Sequence, residues 1–369
     1  MIFSISNLWF IKCYFEIRFF INYIYYENLS KTELCIKIIT VHEIIIAEGT
    51  IMTLDIKKKI PVNRIMQRVH IVSNDVSLPV LLFLHGGPGV VNRHSVLSDD
   101  KDLLDSFTIA TWDQRGTGGS YAGVDIKTLT IEQLVEDAKV VVEYLCKEFN
   151  KEKIFVIGGS WGSLLGIRLA YAYPEHIAAF VGFGQFVSGE KNEKISYQYT
   201  LDAAKAAGDE KAVKELESVG PPVMGMYKGG FDGMMVQRNL MMKYGGYSKS
   251  EEKRSYMESF VKPIFLSGEY SIGDLLGIVL GYKKVLKAMW PEIGAEDLTR
   301  YTSFNVPILV FDGKLDMNTP AELVEEWFAK IEAPEKELIW FEKSGHNPMG
   351  DEPEEFKKLL REKLSKYPA

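Results

Sequence analysis

The stretch Val156–Gly166, VIGGSWGSLLG, joins an apolar run to a helix-like run through two glycines, one serine and a further glycine. Residues 158–162 fit Gly-x-Ser-x-Gly. The spacing has a steric reason. A serine at a tight strand-to-helix turn holds a strained backbone, and small neighbours let strand and helix approach without a clash. Such a turn lifts the hydroxyl to the edge of a sheet. It also leaves the next backbone N–H groups without intrahelical acceptors, where they can bind an anion. The pentapeptide alone says little. Its place, directly after an apolar run and directly before a helix, points to a nucleophile at Ser160.

Working outward, strands and helices alternate. PVLLFLH (79–85), FTIATWD (107–113), KIFVIGG (153–159) and IAAFVGFG (177–184) are short apolar runs of the kind covered on both faces. Residues 130–149 carry Ile131, Leu134, Val135, Ala138, Val142 and Leu145 at helical spacing, with Thr130 and Gln133 placed for a capping box. Residues 161–173 form a helix stopped by Pro174. Upstream, 49–60 and 64–73 have the pattern of an antiparallel hairpin. From about Gln185 to Thr302 the alternation gives way to a mainly helical segment. Strand, helix, strand and helix then resume with VPILVFDG, AELVEEWFAKI, ELIWFEK and EPEEFKKLLREKL. The pattern predicts an α/β fold, a mostly parallel central sheet with helices on both faces, interrupted by a helical cap. The expected parts are an N-terminal extension (1–46), core (47–185), cap (186–302) and core again (303–369).

A serine hydroxyl needs a base, and the base needs a carboxylate to hold its tautomer. In this architecture the acid and then the base follow the serine in chain order. Of the six histidines only His346, in SGHNPMG, lies beyond the helical insertion, in a loop after the last strand. His42 and His70 precede the core, His176 lies in a surface loop, and His94 stays unassigned. For the acid, VFDGKLD offers Asp312 and Asp316. Asp312 ends a strand and suits a turn cap, so Asp316, further out, is favoured. The developing oxyanion needs preorganised donors. The backbone N–H of Trp161 is one. The other is expected from Gly86-Gly87-Pro88-Gly89, with Gly87 favoured and Gly86 the alternative.

HGGPG (85–89), DQRGTGGS (113–120), GGSWGS (158–163), GKLD (313–316) and SGH (344–346) together resemble the α/β-hydrolase fold. More narrowly they resemble its proline iminopeptidase-like branch, over about residues 49–366. The resemblance implies Ser160 as nucleophile, Asp316 as acid and His346 as base, with Asp113, Gln114 and Arg115 shaping the loop beside the oxyanion pocket. It implies an acyl-enzyme route without metal or organic cofactor. The expected activity is removal of a small N-terminal residue from a short peptide, or hydrolysis of small apolar esters and amides. A ligand-binding protein that kept the pocket is a third alternative. Proline iminopeptidases hold the substrate amine with acidic cap residues, and Glu269, in FLSGEYSIGD, is the candidate for that role here. The Met- and Gly-rich stretch 221–244 suits either a pocket wall or a helical core.

Composition agrees with a globular chain. Of 369 residues 46% are hydrophobic and 25% charged, with a net charge of −7 and no long basic tract. Nucleic acid is therefore not an expected partner. The three cysteines, Cys13, Cys35 and Cys146, form neither a metal pattern nor a disulfide framework, which favours a reducing, cytoplasmic setting. Residues 1–46 stand apart: MIFSISNLWFIKCYFEIRFFINYIYY is aromatic and apolar. Lys12, Glu16 and Arg18 break the run before the ~20 residues a spanning helix needs. A dispensable extension, a membrane or interfacial segment and a packed part of the fold are the three readings. Membrane association is expected only through this segment.

Overall fold

A computed structural model describes residues 54–98, 100–248 and 262–369. The expected N-terminal extension lies outside these residues, as does the start of the first hairpin strand around Met52.

The described residues open with β1 (Leu54–Val62) and β2 (Ile65–Ser73), paired antiparallel with Val62 opposite Ile65. The two residues between them, Asn63 and Arg64, have φ of 42° and 71°. Two left-handed residues give the tight hairpin whose twist matches its strands. Then follow β3 (Val80–Leu84), α1 (Arg93–Ser98), β4 (Thr108–Asp113), α2 (Ile131–Glu148), β5 (Ile154–Gly159), α3 (Trp161–Ala172) and β6 (Ile177–Phe183). Helices α4 (Gly189–Ala206), α5 (Glu210–Val219), α6 (Phe231–Lys243), α7 (Lys262–Leu266) and α8 (Ile272–Ala295) separate β6 from β7 (Ile308–Gly313). The chain ends with α9 (Ala321–Lys330), β8 (Lys336–Phe341), α10 (Pro348–Asp351) and α11 (Pro353–Leu364).

The eight strands form one sheet in the order β1-β2-β4-β3-β5-β6-β7-β8. β2 runs antiparallel to both neighbours, and every pair from β4 to β8 is parallel. Two cores flank it. On β5, Ile154 and Val156 join α2, α3 and α9 on one face, while Phe155 and Ile157 join Phe356, Leu360 and Leu364 of α11 on the other. That alternation is the period of two of a strand buried on both sides.

At the start of α2 the expected capping box is half formed. Thr130 Oγ1 accepts from the Gln133 N–H at 3.1 Å, but the Gln133 amide turns instead to Asp137 at 3.0 Å. The reason is Asp137 itself. It is fully buried and takes Arg115 in two contacts of 2.7 and 2.9 Å, with Gln67 and Asn63 on the same carboxylate. Removing one partner of such a buried pair costs about 3–5 kcal/mol, so acceptor demand there outweighs a cap. This pair pins the 113–120 loop to α2.

The helical segment has its own apolar cluster, with Tyr197, Leu216, Met234, Leu240 and Leu286 contributed by α4, α5, α6 and α8. It is tied to the sheet through Arg93, which bonds Asp274 at 2.8 Å and Asp113 at 3.2 Å under the Tyr270 ring. Asp274 also closes a complete capping box with Ser271 at the start of α8. Among the described residues no helix is long and apolar enough to cross a membrane.

Candidate active site

Ser160 stands at the end of β5 with φ 56° and ψ −122°, a conformation that costs a non-glycine residue about 1–3 kcal/mol. Its surroundings hold it there. Its N–H donates to the Phe183 carbonyl on β6 at 3.0 Å. Its carbonyl accepts from Ser163 N and Ser163 Oγ, and that hydroxyl in turn accepts from Phe186 N. The flanking glycines are obligatory. A Cβ on Gly158 would lie 2.2 Å from the Gly162 carbonyl, and one on Gly162 would lie 2.2 Å from the Leu84 carbonyl. The strand, the helix and the end of β3 approach too closely for any side chain. The Trp161 N–H opens the first turn of α3, whose donors have no acceptor inside the helix.

Beside the serine runs the loop that follows β3. Gly86 is its near neighbour: a Cβ there would sit 3.6 Å from Ser160 Cβ. Gly87 has φ 115°, and a Cβ on it would strike the backbone nitrogens of Gly89 and Val90. His85 braces this loop. Its Nδ1 lies 2.9 Å from the Gly86 carbonyl, and its Nε2 accepts from Gln114 N at 3.1 Å. Complete burial lowers its pKa to about 4, so the ring is neutral and Nδ1 is the donor. Between that value and the ordinary histidine value, the unfolded chain binds a proton that the folded ring refuses. Acid in that window therefore works against the fold. Gln114 links the two donor-bearing segments. Its Nε2 donates to the His85 carbonyl at 3.0 Å, and its Oε1 accepts from Trp161 Nε1 at 2.8 Å.

Past β7 and β8 the chain returns to the same edge. His346 Nδ1 lies 2.7 Å from Asp316 Oδ2, and both side chains are buried, at 4% and 0% exposure. Four donors converge on that carboxylate: Asn318 N, Thr319 N, Thr319 Oγ1 and the imidazole. The imidazole is held from outside by Tyr247, whose carbonyl accepts from His346 N at 2.7 Å and whose ring centroid is 4.9 Å away. His346 also packs on Gly184, where a Cβ would come within 3.0 Å of Nδ1. Its neighbour Phe183 holds the Ser160 N–H, so successive residues at the end of β6 touch the serine and the histidine. Ser160 and His346 line one cavity. Nε2 lies 3.1 Å from Asn318 Nδ2, and no hydrogen bond joins Ser160 Oγ to the ring among the described residues. Unliganded sites commonly hold that contact long until substrate closes it.

Asp312 lies on the strand side of Asp316 and has no cation. It is fully buried, accepts from Gln185 N at 3.3 Å, and its Oδ2 has no partner among the described residues. Burial, then the neighbouring Asp316 charge, push its pKa well above the carboxylate range. The folded protein keeps this proton over a range where the unfolded chain has released it. Stability is therefore lost as pH rises from the unfolded value of 3.8 towards the folded one. Asp312→Asn removes that loss. Its melting temperature should match that of the parent at about pH 4 and exceed it increasingly towards pH 7, which thermal unfolding across that range would check.

The cavity holds ≈ 650 Å³ and continues from Ser160, Gly86 and His346 into the helical segment. Glu269, the sequence-based candidate for holding an amine, does not line it. It sits in the turn before α8, faces β1, and pairs with Lys57 Nζ at 2.8 Å. Of the carboxylates in the cavity wall, Asp100, Glu193 and Glu354, the one carried by the helical segment is Glu193 on α4. It is buried, with Arg238 Nη2 on Oε1 and no partner for Oε2 among the described residues. Asn192 Oδ1, one residue earlier and also lining the cavity, is a second buried acceptor without a partner. Apolar periodicity could not reveal this pair, because beside Tyr197 and Ala204 the buried face of α4 carries the polar residues Asn192, Glu193, Ser196 and Thr200. His94, unassigned from sequence, lines the cavity, with Nδ1 3.0 Å from Tyr270 Oη. His70 bonds Asp55, and His176 is half-buried, with Nδ1 3.1 Å from the Glu152 carbonyl.

Residues 79–222 match the family model described as alpha/beta hydrolase fold. A curated protein of Bacillus subtilis, "Probable aminopeptidase YbaC", is 28% identical over 83% of this chain and 95% of its own length. The proline iminopeptidase of Neisseria gonorrhoeae is 36% identical, but over 31% of this chain and 34% of its own length. Among solved structures, the proline iminopeptidase of Mycobacterium smegmatis superposes with a TM-score of 0.59 at 18% identity, over 84% of this chain and 98% of that one. A proline iminopeptidase-related protein of Thermus thermophilus gives 0.58 at 20%, over 85% and 98%. At these identities the structural likeness is one of fold.

Proposed function

We propose that this chain, a hydrolase of the α/β-hydrolase fold related to its proline iminopeptidase-like branch, is a serine aminopeptidase. Ser160 Oγ attacks the carbonyl of the first peptide bond while His346 Nε2 takes its proton. Asp316 keeps Nδ1 protonated and stabilises the imidazolium that forms. The tetrahedral oxyanion faces the N–H groups of Trp161 and Gly87. His346 then protonates the leaving amine, and the acyl-enzyme on Ser160 is released when the same ring activates water. The observation that carries the hydrolase chemistry is the buried 2.7 Å pair between His346 and Asp316 at the cavity that holds the elbow serine.

For the amine, the support is Glu193 Oε2 beside Asn192 Oδ1. Two buried acceptors without donors in a cavity wall are matched by a substrate ammonium, which supplies N–H donors and positive charge. Arg238 occupies the other carboxylate oxygen and fixes its orientation. The relative that spans most of the chain bears an aminopeptidase name. The proline iminopeptidase matches stop at about a third of it, which leaves the released residue to be read from the cavity.

Glu193→Gln is the test. A hydrogen bond to a charged group is worth about 1.5–3 kcal/mol, so kcat/KM on free-amine arylamides should fall about 10- to 100-fold. Hydrolysis of p-nitrophenyl butyrate, which has no amine, should be spared. Equal turnover of N-acetylated and free-amine arylamides by the parent enzyme would favour an esterase or amidase instead.

A further inference from the structure

We infer that the pocket for the released residue prefers bulky apolar side chains to proline and alanine; this rests on the aminopeptidase reading above. The carrier is methionine. The sequence has 13, and five of them line this one cavity: Met234, Met235, Met241 and Met242 on α6, and Met349 on α10. The four on α6 are spaced i, i+1, i+7 and i+8, so the helix presents them from one side over two turns.

The same helix also carries Arg238, which holds Glu193. The amine anchor and the methionine wall are therefore parts of one unit. A substrate with its ammonium on Glu193 and Asn192 has its carbonyl at Ser160, and its side chain is left to the α6 face. Met242 and Met235 are the partly exposed members of the wall, open to the cavity, whereas Met234 and Met241 are packed into the segment's core.

Methionine is unbranched, polarizable and has three rotatable bonds, so it repacks around chains of different shape. Selectivity for a five-membered ring needs the opposite: stiff walls close enough to reject anything larger. In a cavity of ≈ 650 Å³ a proline ring or a methyl group leaves several methionine atoms without a neighbour on one side, and those dispersion contacts are forfeited. A leucine, methionine or phenylalanine side chain restores them.

The test compares kcat/KM on the p-nitroanilides of Leu, Met, Phe, Ala and Pro, for the parent enzyme and for Met235→Ala/Met242→Ala. One methylene in an apolar pocket changes kcat/KM about 10- to 200-fold. The parent should therefore favour Leu, Met and Phe over Ala and Pro by at least about 10-fold. In the double variant the Leu/Ala ratio should fall by a similar factor. A merely structural loss would instead lower every substrate alike and leave the ratio unchanged, which would overturn the inference. A parent enzyme that prefers Pro or Ala would overturn it too, with the aminopeptidase reading intact. Turnover of p-nitrophenyl butyrate with none of the five anilides would overturn both.

Discussion

Ser160→Ala is expected to lower kcat by about a millionfold, the loss seen when a serine nucleophile acting within a triad is removed. The expectation follows from where the burden falls. The elbow backbone is held by the Phe183 carbonyl, by Ser163 and by the close packing at Gly158 and Gly162. The Ser160 hydroxyl makes no hydrogen bond among the described residues, so its removal leaves the turn standing. Alanine bears the same positive φ at a cost similar to that of serine. The melting temperature should therefore stay close to that of the parent while turnover vanishes. A variant that keeps a tenth of the parent activity would show that the nucleophile lies elsewhere.

Asp316→Asn is expected to lower kcat about 10⁴-fold, because an amide in place of the carboxylate favours the wrong imidazole tautomer and cannot stabilise the imidazolium. Asp312→Asn supplies the contrast. Both aspartates are fully buried and lie four residues apart. Asp316 receives four donors including the imidazole, whereas Asp312 is driven to hold a proton by burial and by Asp316 itself. An amide adds no charge at a site where burial already disfavours the carboxylate, so kcat should stay within about threefold of the parent. Stopped assays on one ester and one anilide, run for both variants at neutral pH, decide between them. If Asp312→Asn carried the larger loss, the acid would have been assigned to the wrong aspartate.

Most of the sheet could be read from sequence because its strands are buried on both faces and its helices are amphipathic, so each has a one-dimensional signature. The runs at 80–84, 108–113 and 154–159 became strands at their expected places. The glycines around Ser160 announced a turn that only they can make. Reading became harder where polar groups are buried. Gln133 faces Asp137 rather than the helix terminus, because a fully buried carboxylate demands donors more strongly than a cap does. Glu269 and Glu193 look alike in sequence. One faces a lysine on β1 and the other a cavity, and that difference lies in the packing of α4 against α6. No local pattern encodes such packing, since the inward face of α4 mixes Asn, Glu, Ser and Thr with Tyr197 and Ala204 where an amphipathic helix carries Leu or Val. Gln114 was visible as part of a motif. Its bridge from His85 to Trp161 has no local signature, because the three residues come from three separate strand ends.

The most direct measurement is covalent. The protein is treated with a fluorophosphonate, digested and mapped by mass spectrometry, beside Ser160→Ala and His346→Ala. A single adduct on Ser160 is expected in the parent, none in Ser160→Ala, and a labelling rate reduced by orders of magnitude in His346→Ala, where the base is gone. An adduct on another residue, or labelling of Ser160 that proceeds equally well without His346, would contradict the assignment of these side chains to one catalytic centre.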